Sequence, residues 1–249
     1  MGQLDGKTAV VTGASDGIGL GAAQRLAAEG AHVFITGRRE AELEAAAQAI
    51  GSATAVPGDI AEPADLDRLY EAVRARGQGL DVVFANAATA GFARIDEMDM
   101  ELLDTIYRVN IRGTVLTVQK ALPLLNQGAS IILNASTRAD DGWEGFGAYG
   151  ASKAALRLFG RTWANELKDR GIRVNTISPG AIATPAVAKM VGQDNAEAVE
   201  ATFRAKVPLQ RHGTIEEVAA AVAFLASPQS SFVLGANLYV DGGENGIRV

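Results

Sequence analysis

The chain has 249 residues, 48% of them apolar and 21% charged, and a formal net charge of −6. That length and apolar share suit one α/β domain with a large core and exclude a disordered chain. The acidic balance argues against general nucleic-acid or anionic-membrane binding. The absence of cysteine removes disulfides, thiolate metal sites and thiol catalysis, and with only His32 and His212 present no histidine-rich metal site is expected. The opening MGQLDGKTAVV lacks the apolar region of a secretory leader, and no run of 18 apolar residues follows. The expectation is therefore a cytoplasmic protein without metal, membrane or nucleic-acid partners.

Short apolar runs alternate along the chain with longer stretches in which apolar residues recur three and four apart. Strands are predicted at Thr8–Thr12, His32–Thr36, Thr54–Pro57, Asp81–Ala85, Ser130–Ala135, Arg173–Ser178 and Asn237–Val240. Helices are predicted at Ile18–Glu29, Glu40–Ile50, Pro63–Arg76, Met100–Leu125, Tyr149–Arg170 and Ile215–Ala226. Gly30 supplies a stop after the first helix, and Thr214 with Glu217 makes a capping box before the last. Several strand runs are apolar without alternation, as in strands covered on both faces. Strand–helix alternation over residues 1–249 implies one domain, an α/β doubly wound parallel sheet of about seven strands with helices on both sides. Ligands of such sheets sit beyond the carboxyl ends of the strands.

The first strand runs into Thr12-Gly13-Ala14-Ser15-Asp16-Gly17-Ile18-Gly19. Glycines permit a tight turn and close approach to a phosphate, and the following helix offers free N–H groups to an anion. Strand before and helix after meet the context of a dinucleotide site. Gly13-Ala14-Ser15-Asp16-Gly17 also fits the G-x-S-x-G elbow of a hydrolase, with His212 downstream. An elbow on the first strand, however, leaves nothing upstream for the rest of a hydrolase sheet. Dinucleotide sites often carry a carboxylate at the end of the second strand, for the ribose 2′-hydroxyl. Here that end reads Gly37-Arg38-Arg39. Without the carboxylate a 2′-phosphate is not repelled, and Arg38, helped by Arg39, can grip it. Asp16 is the one acidic residue working against that preference.

Tyr149 and Lys153 stand four apart on a predicted helix, and so on one face. A phenol is a poor acid–base group at neutral pH; a neighbouring ammonium favours the phenolate and draws it toward the working range. Ser136, thirteen residues before Tyr149 and just past the fifth strand, can polarise a substrate oxygen. Asn134-Ala135-Ser136 also spells a glycosylation sequon, which carries no meaning without a secretory leader.

The G-x-x-x-G-x-G turn followed by Asn110, Ser136, Tyr149 and Lys153 resembles the short-chain dehydrogenase/reductase family, and the likeness extends to Asn175-Thr176-Ile177-Ser178-Pro179-Gly180 and Tyr239-Val240-Asp241-Gly242-Gly243. The resemblance implies a Rossmann-type fold and hydride transfer between a nicotinamide and a carbonyl carbon. Tyr149 would be the acid or base, with Ser136 on the oxygen. Lys153 would tune the phenol and bind ribose, and Asn110 would hold a water in a proton relay. Cofactor contacts would come from Gly13, Ser15, Asp16, Gly17, Ile18, Gly19, Gly37, Arg38, Arg39, Asp59, Ile60, Asn86, Tyr149, Lys153, Pro179, Gly180, Ile182 and Thr184. Asp59 could instead simply cap the next turn. Ala85-Asn86-Ala87-Ala88 replaces the family's usual Asn-Asn-Ala-Gly. Gly37 stands where members preferring NAD carry Asp, so NADP(H) is expected over NAD(H). A substrate lid is expected at about residues 185–210. Arg138, Trp143 and Phe146, with small Ala90 and Gly91, would leave room for a bulky apolar or aryl ketone, with the corresponding secondary alcohol as the other partner. Sugar, steroid and 3-oxoacyl substrates stay open, as does an NADP-binding sensor on the same fold. A homotetramer is implied, with the helices at Met100–Leu125 and Tyr149–Arg170 pairing at one interface and the apolar end Phe232–Val240 building another.

Overall fold

The computed structural model describes residues 2–185, 187–188 and 192–247. Seven strands form one parallel sheet in the order β3-β2-β1-β4-β5-β6-β7. They are β1 (Thr8–Thr12), β2 (His32–Thr36), β3 (Ala53–Ala55), β4 (Leu80–Ala85), β5 (Leu125–Asn134), β6 (Arg173–Pro179) and β7 (Asn237–Val240). The connecting helices are α1 (Gly17–Ala28), α2 (Glu40–Ile50), α3 (Pro63–Ala75), α4 (Met100–Tyr107), α5 (Thr114–Ala121), α6 (Gly147–Leu167), α7 (Gln193–Arg204) and α8 (Ile215–Ala226).

The inner strands β1, β2 and β4 are buried along nearly their whole length because each face has its own cover. Ala9, Val11, Val33, Ile35, Val82, Phe84 and Ile132 pack with α1, α2 and α8. Their neighbours Val10, Phe34, Val83, Ala85, Ile131 and Leu133 pack with α3, α5 and α6. Successive side chains on a strand point to opposite faces, so two cores flank one sheet. α8 starts with the expected capping box, both of its hydrogen bonds being formed.

Three predicted elements differ most. The long helix at Met100–Leu125 is broken by a π-helical segment, Arg108–Gly113, where the Asn110 side chain bonds outside the helix. β5 begins at Leu125 rather than Ser130: Leu125 pairs with Leu80, and the register then shifts before Val82 meets Ser130. Polar Asn126 and Gln127 and Gly128 interrupt the apolar pattern that would have marked this start. β3 is also shorter than Thr54–Pro57, although the Val56 N–H still reaches the Ile35 carbonyl at 2.9 Å. Of the stretch expected as a lid, residues 186 and 189–191 lie outside the described residues. No helix of the described residues is long and apolar enough to cross a membrane.

Candidate active site

The chain order of the strands reverses between β1 and β4, which opens a crevice at their carboxyl ends. The glycine turn forms its rim. Gly13 and Gly17 adopt φ of +65° and +56°, which side chains disfavour. A Cβ on Gly19 would lie 2.2 Å from the Gly13 carbonyl oxygen, so the turn closes only with hydrogen there. Gly17 faces open space.

Hydrogen bonds run from this turn to the amine of Lys153. The Thr12 hydroxyl accepts from the Asn86 and Ala87 N–H groups, both at 3.0 Å. The Asn86 amide donates to the Thr12 and Gly13 carbonyls at 2.9 and 3.1 Å, and its oxygen accepts from Asn134 Nδ2 at 2.8 Å. The Asn134 carbonyl in turn accepts from Lys153 Nζ at 2.6 Å. Asn134 Oδ1 is left buried without a partner.

At the end of β2, Arg38 is exposed and makes no ion pair among the described residues. Arg39 instead pairs with Asp16 at 2.5 Å. The two residues whose charges bear oppositely on a 2′-phosphate thus face each other. A Cβ on Gly37 would sit 2.6 Å from the Ser15 hydroxyl, which places these two residues side by side. Asp59 caps the following turn by accepting from the Ala61 N–H at 2.9 Å, and Ile60 packs over Gly113 of the π-helical segment.

Ser136, Tyr149 and Lys153 converge past the end of β5. Ser136 is 8% and Lys153 2% exposed. Ser136 and Tyr149 line one cavity, with the hydroxyl close enough to favour the phenolate, and Lys153 Nζ lies 5.6 Å from the Tyr149 ring centre. Burial is the largest influence on both ionisable groups. It raises the phenol, against the pull of the Ser136 hydroxyl and the Arg138 charge, and it lowers the Lys153 amine to about 7. Asn110 is buried beside them with its side chain committed: it accepts from the Thr89 N–H at 2.8 Å and donates to the Thr89 carbonyl and Ser152 Oγ at 2.9 and 3.0 Å.

A cavity of about 220 Å³ adjoins this group, lined by Ile18, Ala90, Ser136, Arg138, Phe146, Tyr149, Pro179, Gly180, Ile182 and Thr184, among others. Ile182 is fixed by a bridge to Gly213. Gly91 does not line it: a Cβ there would meet Leu102 at 2.4 Å, so its small size serves packing against α4. Trp143 lies behind the wall, with its ring centre 5.3 Å from that of Phe203 and 6.4 Å from that of Phe146. His212, the residue a hydrolase would need, contacts the Glu200 carbonyl at 3.0 Å.

Thr12 and Asn134 stand inside motifs visible in the sequence but were given no role there, and their positions at strand ends were the available signal. Phe203 enters from α7, inside the stretch expected as a lid, and Glu244 from the turn after β7, where no spacing announces it. Among the described residues no cluster of His, Asp or Glu could hold a metal ion.

A family profile described as Enoyl-(Acyl carrier protein) reductase matches residues 13–245. Oxidoreductase asL5 of Sarocladium schorii is 46% identical over 244 residues, covering 97% of this chain and 96% of that protein. A solved short chain dehydrogenase from Burkholderia cenocepacia in complex with NADP is similar at TM-score 0.89 and 33% identity, over 98% of this chain and 99% of that one. A 3-ketoacyl-(acyl-carrier-protein) reductase from Brucella melitensis complexed with NADH is similar at TM-score 0.89 and 33% identity, over 97% and 99%.

Proposed function

Because the chain belongs to the short-chain dehydrogenase/reductase family, we propose that it is an NADP(H)-dependent oxidoreductase interconverting a secondary alcohol and a ketone, with Tyr149 as acid and base. The observation that carries this reading is the convergence of Ser136 and Tyr149 on one cavity, with the buried Lys153 beside the phenol ring.

The crevice fits a dinucleotide. Gly17 leaves the space a Cβ would fill open to a phosphate, and the start of α1 stands behind it. When bound, the nicotinamide would supply or accept the hydride. The chain's own residues handle the proton and the oxygen. Tyr149 protonates the developing alkoxide in reduction and removes the alcohol proton in oxidation. Ser136 donates a hydrogen bond to the same oxygen, which stabilises the charge that grows there. Lys153, tethered to the Asn134 carbonyl, holds its amine near the phenol and near the space for a ribose. With the Asn110 side chain committed to Thr89 and Ser152, a water relay at that position would pass through its main chain.

NADP(H) preference is supported by exposed Arg38, by the missing carboxylate at Gly37, and by the Arg39–Asp16 pair, which offsets the one opposing charge. Phe146, Phe203 and the Tyr149 ring around the cavity support a bulky apolar or aryl ketone. The fully exposed Phe232 and half-exposed Leu234 support assembly of a homotetramer. The test is NADPH oxidation followed across ketones, with sugar, steroid and 3-oxoacyl carbonyls as further arms. Tyr149→Phe is expected to abolish turnover while keeping coenzyme affinity; full turnover in that variant overturns the reading, and binding without any turnover by the unaltered protein makes it a sensor.

A further inference from the structure

The loop between β5 and α6 carries buried charge that carbonyl reduction does not itself require. The Arg138 side chain is 9% exposed, and its guanidinium pairs with Glu244, also 9% exposed, and with Asp141 at 2.9 Å. The Trp143 ring covers it, with its centre 4.1 Å from the guanidinium carbon. Glu244 arrives from the turn after β7, 106 residues further along the chain. Its second oxygen accepts from the Thr137 hydroxyl at 3.1 Å. The Arg138 N–H donates to Ser136 Oγ at 3.2 Å. A second tie lies alongside: Asp140 accepts from Tyr239 of β7 at 2.9 Å and from Asn245 at 2.5 Å, and pairs with Arg157 of α6. The C-terminal turn thus grips each residue from Thr137 to Asp140 except Ala139.

Burying an ion pair costs more than filling the same space with apolar side chains, so the pair is a poor device for stability alone. Arg138 Nη1 is even left buried without a partner. What the pair does achieve is to fix a cation next to Ser136 and Tyr149.

We propose that Glu244 is a positioning residue for the proposed reaction: by holding Arg138 against the Ser136–Tyr149 pair, it sets both the aim of the Ser136 hydroxyl and the positive field at the phenol oxygen. The inference rests on the reading of Tyr149 as acid and base. The charged and titratable groups around that phenol are Arg138 and Asp141 from its loop, Lys153 one helical turn along α6, Glu244 from the C-terminal turn, and Glu200 and His212 across the cavity. Arg138 favours the phenolate, and Glu244 is the carboxylate paired with its guanidinium.

The test follows alcohol oxidation against pH, where activity rises as the phenol loses its proton. Glu244→Gln strips the counter-charge from Arg138, so the rising limb is expected to move to lower pH. Arg138→Gln removes the cation and leaves two carboxylates, so the limb is expected to move to higher pH. Each shift should be on the order of one pH unit, with kcat falling more than KM changes. Arg138→Lys should restore much of the limb position, because it restores the charge. A role confined to loop shape would lower activity in both variants without moving the limb. If Tyr149→Phe is inactive but both variants, folded by circular dichroism, keep the parental limb or shift it the same way, this proposal falls alone. If Tyr149→Phe stays active, the underlying reading falls first.

Discussion

Lys153 is an amine enclosed in the core, and its nitrogen donates to the Asn134 carbonyl. Its titration has a consequence for stability whose sign is fixed. An ordinary lysine titrates at 10.5, and burial brings this one to about 7. Between those values the unfolded chain holds a proton that the folded chain has released, so stability falls as pH drops from about 10 to about 7 and changes no further below that. Lys153→Met removes this penalty. The variant is expected to lose turnover yet unfold at higher urea concentration, by on the order of a few kcal/mol at pH 7 and by less at pH 9.5. Equal gains at the two pH values would refute it. Gly37→Asp with Arg38→Ala introduces repulsion and removes a charge-assisted contact, so the NADP-to-NAD ratio of kcat/KM should fall tenfold or more, roughly the worth of one such hydrogen bond. The Ser15 hydroxyl, 2.6 Å from the new Cβ, has to rotate aside. An unmoved ratio refutes the assignment. The grouping of Ser136, Tyr149 and Lys153 was legible because the proposed chemistry calls for those residue types at that spacing. Glu244 was not, because the fold alone brings it to the cavity, and Phe203 was covered only as part of the expected lid. The burial that raises the phenol was not legible either, because sequence separation says nothing of enclosure.

Among elements, the ones that capping and punctuation mark were the most legible. The bounds of α8 follow from Thr214 and Glu217, and those of α2 from its own periodicity. The interruption at Arg108–Gly113 was not legible, because the apolar spacing on either side continues as if the helix did. Its physical cause is Asn110, whose amide bonds the main chain of Thr89 in the loop after β4. This pins the helical layer to the crevice wall and, through Ser152, to α6. Asn110→Leu keeps the branched outline but leaves the half-buried Thr89 N–H and carbonyl without their partner. The variant is expected to lose about 2–4 kcal/mol of stability, read from urea unfolding, and to show faster amide exchange at Thr89 than at β1. If stability holds and only turnover falls, the residue's contribution lies in the chemistry and not in the pinning.

At the scale of the whole molecule, the parallel order of the sheet was legible because strand–helix alternation with apolar strands admits few other arrangements. What covers the outside of the molecule was less so. β7 is the last strand of the sheet and is only partly buried. Around it Phe232 is fully exposed, and Leu234, Tyr239 and Phe224 are between 37% and 48% exposed. One exposed apolar residue is ordinary, but a group beside an open sheet edge favours association. The same C-terminal region supplies Glu244 to the cavity, so assembly there would steady the turn that grips Arg138. The proposed homotetramer is expected by light scattering on a sizing column. Phe232→Glu, a substitution at a side chain without burial to lose, should leave the fold intact by circular dichroism and yield a smaller species. That species should also lose kcat relative to the tetramer, because its C-terminal turn is less firmly held. A variant that stays tetrameric removes Phe232 from the interface, and a smaller species with full kcat separates assembly from the site.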